Sequence, residues 1–186
     1  EEIDIQNPEA NEVLIEHEFA GLNFIDINQR KGTYPLKNLP TVMGMEASGT
    51  IKKIGSKVFK FKIGDKVTHC MNLGSFSNFM NLSENKVIKL KNEIDLKLAA
   101  ASTLQGLTSQ YLLHHSFKLK KENTLLMHAA AGGVGHILCQ WAKYLGATII
   151  GTVSSEQKAE QAKNAGAHHV IIHSKGDFVK TVLDVT

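Results

Sequence analysis

The sequence predicts an α/β protein in two parts, a β-rich N-terminal half followed by one half of a doubly wound parallel sheet. Three observations carry this reading. Val13, Ile15, His17 and Phe19 alternate with polar neighbours, the period of a half-buried strand. Further on, Thr124 to His128 and Thr148 to Val153 are short apolar runs separated by a segment whose apolar residues fall at helical spacing. Between the first of these runs and that segment lies a glycine string, Ala130-Ala131-Gly132-Gly133-Val134-Gly135, where a strand gives way to a helix.

In chain order, the Val13 to Phe19 strand stops at Gly21. Short apolar runs at Thr50 to Ile54, Lys66 to Cys70, Phe76 to Leu82 and Lys86 to Leu90 read as further strands, with turn chemistry at Gly55-Ser56 and Gly64-Asp65. Leu96 to His115, rich in Leu, Ala and Gln, suits one or two helical segments. Thr124 to His128 reads as a strand buried on both faces of a parallel sheet. Val134, Ile137, Leu138, Trp141, Ala142 and Leu145 then mark a helix, and Gly146 stands where its C-terminal cap belongs. A strand at Thr148 to Val153, a helix at Ser155 to Ala165 stopped by Gly166, and a strand at Val170 to Ile172 follow. Asp177 reads as the cap of a third helix. The order β-α-β-α-β is one half of a doubly wound sheet, which divides the chain into residues 1–95 and 96–186.

Composition is that of a folded domain: 186 residues, 42% hydrophobic and 21% charged, with 15 Gly and 3 Pro. The net charge of +3 from 21 basic and 18 acidic residues is too balanced for a nucleic-acid footprint, and Arg30 is the sole arginine. No apolar run approaches the roughly 18 residues of a membrane span. The start, Glu1-Glu2-Ile3-Asp4, lacks the basic end and apolar stretch of a signal peptide, so a cytoplasmic location is expected. Two separated cysteines, Cys70 and Cys139, argue against a disulfide framework or a thiolate cage.

The glycine string resembles a dinucleotide fingerprint with alanine in place of the first glycine. Ala131, Gly132, Gly133, Val134 and Gly135 are the expected cofactor-binding residues of this loop. Gly132 lets the backbone approach a pyrophosphate, Gly135 lets helix and strand pack closely, and the helix N-terminus supplies amide donors. Where an NAD enzyme places Asp or Glu, at the end of the second strand, this chain has Thr152-Val153-Ser154-Ser155. No carboxylate there repels a 2′-phosphate. Ser154 offers a hydroxyl and Lys158 a point charge, so NADP(H) is the expected cofactor. Ser154 as a mere helix cap with Lys158 solvated is the competing reading. His173 either closes the same pocket or is a surface histidine.

Gly21-Leu22-Asn23-Phe24-Ile25-Asp26, Met43-Gly44-Met45-Glu46-Ala47-Ser48-Gly49, Gly64-Asp65-Lys66-Val67 and Ala129 to Gly135 together resemble the medium-chain dehydrogenase/reductases. Their quinone oxidoreductase (zeta-crystallin-like) branch is the most similar. The resemblance implies a GroES-like β domain joined to a Rossmann domain, with the active site in the cleft between them. Zinc alcohol dehydrogenases of this superfamily place a cysteine at the position of Asn23 and a histidine at that of Met45. Neither Asn nor Met is a zinc ligand, and the four-cysteine structural lobe is missing, so no zinc is expected. By the same resemblance Asn23 lies near the nicotinamide, Thr108 lines its pocket and Tyr34 faces the substrate, while Asn28 stands where close relatives carry a tyrosine at the cofactor. Gln105 stands where some relatives carry a lysine. A turn-forming Asn23, a packing role for Tyr34 and a backbone-bonded Thr108 remain open at this level.

Without a Lewis acid the acceptor must take hydride unaided, which quinones do because the product is aromatic. An NADPH-dependent, zinc-independent quinone oxidoreductase is therefore expected. An enone or alkenal reductase is the alternative, and an inactive truncated fragment or a binding module for nucleotide or RNA is a further class. Relatives suggest a homodimer. Two full domains of this kind need roughly 300 residues, so 186 residues hold most of one and half of the other; poor stability as a monomer is expected.

Overall fold

The computed structural model describes residues 5–174 and 178–186. The chain forms two compact units, Glu1–Leu104 and Gln105–Thr186. Glu1 to Asp4 and the expected helix cap Asp177 lie outside the described residues.

In the first unit a five-stranded antiparallel sheet has the order β4-β1-β2-β3-β5. It is built from β1 (Glu12–Ala20), β2 (Glu46–Ile54), β3 (Lys66–Cys70), β4 (Phe79–Ser83) and β5 (Ile88–Lys89). The alternation at Val13 and Ile15 turns those side chains inward, where they join Ile51, Val67, Leu82, Val58 and Phe61 in one core. β1 crosses β2 with irregularities at Leu14/Ile15 and His17/Phe19, which re-aim its second half.

A short helix, α1 (Phe24–Arg30), stands where the sequence reading saw a turn after Gly21. Seven residues are too few for a helical period to show, but Asn23 followed by Asp26 is a start signal: the Asp26 carboxylate accepts the Asn23 backbone N–H at 2.8 Å. Another helix, α2 (Leu96–Gln110), continues as a π-helical stretch, Tyr111–Ser116. Its first turns belong to the first unit. The Leu96 carbonyl accepts from Ser48 Oγ, and Thr103 Oγ1 lies 3.0 Å from Thr68 Oγ1.

The second unit carries a parallel sheet in the order β6-β7-β8: β6 (Thr124–Met127), β7 (Thr148–Val153) and β8 (His169–Ile172). Between them run α3 (Gly133–Tyr144) and α4 (Glu156–Ala165), and α5 (Phe178–Val185) follows. Leu138, Cys139 and Ala142 of α3 pack with Ile149 and Val153 of β7 and with Ala159, Ala162 and Ala165 of α4. Gly166, at φ +113°, closes α4, and Gly146, at φ +82°, follows α3.

One expectation is corrected. β6 is not buried on both faces: Thr124 and Leu126 are exposed, and Leu125 and Met127 are half-buried. The strand buried over most of its length is β7, since among the described residues β6 is an edge and β7 lies between two neighbours. No helix among the described residues is long and apolar enough to cross a membrane.

Candidate functional site

In the second unit a candidate nucleotide site is built on the crossover from β6 to α3. Ala129 adopts φ +53°, a left-handed conformation, and turns the chain so that Gly132 N–H reaches the Ala129 carbonyl at 2.8 Å. Ala130 is fully buried and its N–H donates to the Thr152 carbonyl at 3.1 Å, pinning the loop to β7. Gly132 is the N-terminal flanking residue of α3, and its carbonyl accepts from His136 N. A Cβ on Gly135 would stand 2.4 Å from the Ala129 carbonyl oxygen, so helix and loop meet there without room for a side chain. The expected close packing at Gly135 is thus a steric fact, and the helix N-terminus opens onto the loop with the positive end of its dipole.

Beside this loop lies a pocket of about 440 Å³. Of the expected residues it brings together Ala131, Gly132, Ser154, Lys158 and His173. Gly133, Val134 and Gly135 form the first turn of α3 and do not line it. His128, Ala129, Thr152 and Val153 complete the lining. His128 was not singled out because a histidine ending an apolar run reads as strand. Its Nδ1 lies 3.0 Å from Thr152 Oγ1 and its ring meets Phe178 edge-on.

At the end of β7, Ser154 is not the helix cap. Ser155, not Ser154, caps α4, its Oγ accepting from Lys158 N–H at 3.3 Å. Ser154 is exposed, and its hydroxyl accepts from Lys158 Nζ at 3.2 Å. Hydroxyl and ammonium therefore stand side by side on the pocket wall, and no carboxylate is among the lining residues described.

A separate polar centre lies within the first unit. Asn23, 7% exposed, sits at the start of α1, and its Nδ2 donates to Glu46 Oε2 at 2.7 Å. Glu46, at the start of β2, has no exposed surface, and its Oε1 accepts the Leu104 N–H of α2 at 2.6 Å. Burial pushes the Glu46 carboxyl above its ordinary range, and hydrogen bonds from Asn23 and from the Leu104 and Thr103 backbone oppose that rise. Gly21 is bare where this carboxylate and α2 close in: a Cβ would lie 2.2 Å from the Ala100 carbonyl oxygen.

Zinc, which the superfamily implies, does not fit these residues. Asn23 turns its nitrogen to Glu46, and the Met45 thioether accepts from Gln29 Nε2 at 3.5 Å. Neither is a thiolate, imidazole or carboxylate. The paired histidines are also engaged separately: His114 tilts against Trp141, His115 stacks on Tyr111, and His168 Nδ1 accepts from Ile149 N.

The remaining expected residues are not among those that line the pocket. Asn28 is half-buried on α1, and its carbonyl accepts the Tyr34 N–H at 3.2 Å. Tyr34 is 53% exposed, so a packing role in a core does not describe it. Thr108 lies on α2, one turn beyond Leu104. Gln105 lies at the start of the second unit, its side chain against Gly133. Glu46 escaped the sequence reading as a site residue, because a glutamate opening a strand looks like any solvated charge until its partners are seen.

The alcohol dehydrogenase GroES-like domain model matches residues 9–119, and the zinc-binding dehydrogenase model matches residues 133–186. A quinone oxidoreductase of Pseudomonas aeruginosa is 44% identical over 96% of this chain and 55% of its own length. A 2-haloacrylate reductase of a Burkholderia species is 40% identical over 100% of this chain and 58% of its own length. The crystal structure of Escherichia coli quinone oxidoreductase complexed with NADPH superposes with a TM-score of 0.96 at 43% identity, covering 99% of this chain and 57% of that one. The chain thus spans a little over half the length of these relatives. With the alcohol dehydrogenase GroES-like domain model over more than half of its length, the chain belongs to the medium-chain dehydrogenase/reductases, and it is similar to their quinone oxidoreductases.

Proposed function

We propose that the protein is an NADPH-dependent, zinc-independent quinone oxidoreductase. One observation carries the cofactor: the pocket at the end of β7 sets the Ser154 hydroxyl and the Lys158 ammonium together. A 2′-phosphate takes hydrogen bonds and charge from such a pair, whereas the ribose hydroxyls of NAD ask for a carboxylate. The quinone oxidoreductase of Escherichia coli, whose structure holds NADPH, supports the same reading.

When bound, NADPH supplies a hydride. The α3 N-terminus with Ala131, Gly132 and Gly133 receives the diphosphate, Ser154 and Lys158 hold the 2′-phosphate, and His173 and His128 close the pocket wall. Val134 and Gly135 seat α3 against the loop. The family resemblance assigns Asn23 to the reacting end and gives Asn28, Tyr34 and Thr108 contacts to cofactor or acceptor. A quinone needs no Lewis acid, since its reduced ring is aromatic. Orientation and a few hydrogen bonds suffice.

The test is a titration with NADPH and with NADH, followed by oxidation of each with 1,4-benzoquinone. Lys158→Ala removes one charge-assisted contact worth about 1.5 kcal/mol, so NADPH should bind roughly tenfold more weakly and NADH unchanged. Ser154→Asp should reverse the preference. Equal use of both cofactors by the unaltered protein, or turnover that depends on added zinc, would overturn the reading. The 2-haloacrylate reductase relative favours one second reading, reduction of an activated double bond. Faster turnover of 2-chloroacrylate than of benzoquinone would select it.

A further inference from the structure

We propose that Glu46 is a positioning residue for the reaction, acting by fixing which end of the Asn23 amide faces the ligand. This rests on the reading of Asn23 as a residue at the reacting end. The Glu46 carboxylate is fully buried where three elements meet: the start of β2, the start of α1 and the third turn of α2. Its oxygens serve the side chain of Asn23 and the backbone of α2: Oε2 takes Asn23 Nδ2 at 2.7 Å, Oε1 takes Leu104 N–H at 2.6 Å, and the Thr103 backbone adds a further hydrogen bond. A carboxylate can accept but not donate. The Asn23 nitrogen must therefore point inward, and the orientation of Oδ1 and of the second amide hydrogen follows. Asp26 holds the Asn23 backbone from the other side, through its N–H, so main chain and side chain of Asn23 are each set by a carboxylate. Without Glu46 the amide has two orientations of similar energy, and one of them offers the ligand a donor where the other offers an acceptor.

Glu46→Gln tests this with little change of shape. Glutamine has one oxygen, which the fixed Leu104 N–H claims, so its NH₂ meets Asn23 and turns that amide over. In the intact protein kcat for benzoquinone should fall at least tenfold while the KM for NADPH stays within twofold. The same substitution made on Asn23→Ala should change kcat less than twofold, because the group through which Glu46 acts is gone. A merely structural tie between β2 and α2 would lower kcat by the same factor in both backgrounds, and that result would overturn the proposal. So would unaltered kcat in Glu46→Gln. Should Glu46→Gln fail to fold, Glu46→Asp, which keeps the charge but falls short of Asn23, enters the same cycle with the same expectations. Absence of NADPH-dependent turnover in the unaltered protein would instead overturn the functional reading itself, and this inference with it.

Discussion

Gly133 and Gly135 stand two residues apart in one loop, yet they are glycine for reasons of different force. A Cβ on Gly135 meets backbone, 2.4 Å from the Ala129 carbonyl oxygen and 2.8 Å from Ala130 atoms. Neither can move without breaking the turn. A Cβ on Gly133 meets the amide end of Gln105 at 2.6 to 2.7 Å, which swings aside by rotating its side chain. Gly135→Ala should therefore cost about 1–3 kcal/mol and lower the melting temperature by several degrees. Gly133→Ala, in the first turn of a helix, should stay within about 0.5 kcal/mol of the original. Parallel thermal unfolding of the two variants checks this, and equal losses would contradict it. The sequence showed both as members of a glycine string and had no way to rank them, since the ranking depends on what lies across the gap. The same limit hid Glu46, whose partners Asn23 and Leu104 are 23 and 58 residues away. It did not hide Ser154 and Lys158, four residues apart at a strand end, where local order alone places two groups together.

At the scale of elements, β1 and β3 communicate across β2 through a pair of histidines. Gly49 of β2 lies opposite His17 and Ala47 lies opposite His69, so the strand between them offers little side chain to keep the rings apart. His17 Nε2 and His69 Nε2 are 2.9 Å apart. His17 Nδ1 donates to the Ser77 carbonyl, so in the neutral pair His69 Nε2–H donates to His17 and His69 Nδ1 is left bare. That nitrogen is buried and has no partner among the described residues, so an added proton finds no acceptor there. Burial, with His17 adding a smaller repulsion, takes the His69 pKa from 6.5 down to about 3. A folded pKa below the unfolded one means that stability is whole above pH 6.5 and falls as the pH drops toward 3. At pH 5 the loss should be about 2 kcal/mol, on the order of 1.4 kcal/mol for each pH unit below 6.5. His69→Leu should flatten the denaturation free energy between pH 6.5 and 4 by close to one proton; an unchanged slope would contradict it. Element boundaries were largely legible where the period was long or the stop chemical: β7 spans Thr148–Val153 and α4 ends at Gly166, both as read. Short elements were not legible, because seven residues of α1 or two of β5 hold too little period to see.

For the molecule as a whole, the sheet of the second unit sets the behaviour of a polypeptide of these 186 residues. β7 is paired on both sides and is buried over most of its length. β6 is paired with β7 alone among the described residues, so its other row of backbone N–H and C=O groups is a template for another strand. The apolar run Leu125-Leu126-Met127 made this strand look internal, because apolar composition reports what a strand is suited to meet, not whether a neighbour is present. Leu126 is 37% exposed, which puts apolar surface beside that open row. Such a chain should associate at micromolar concentration in light scattering, and more so at high salt, where the modest +3 charge is screened. Leu126→Lys places a charge beside the edge, a device that natural sheets use against strand pairing. It should shift the scattering mass toward the monomer while leaving NADPH affinity within about threefold, since Leu126 does not line the pocket proposed for the nucleotide. Scattering by Leu126→Lys equal to that of the unaltered chain would show that association runs through some other surface, and monomeric behaviour of the unaltered chain would show that the β6 edge is not adhesive.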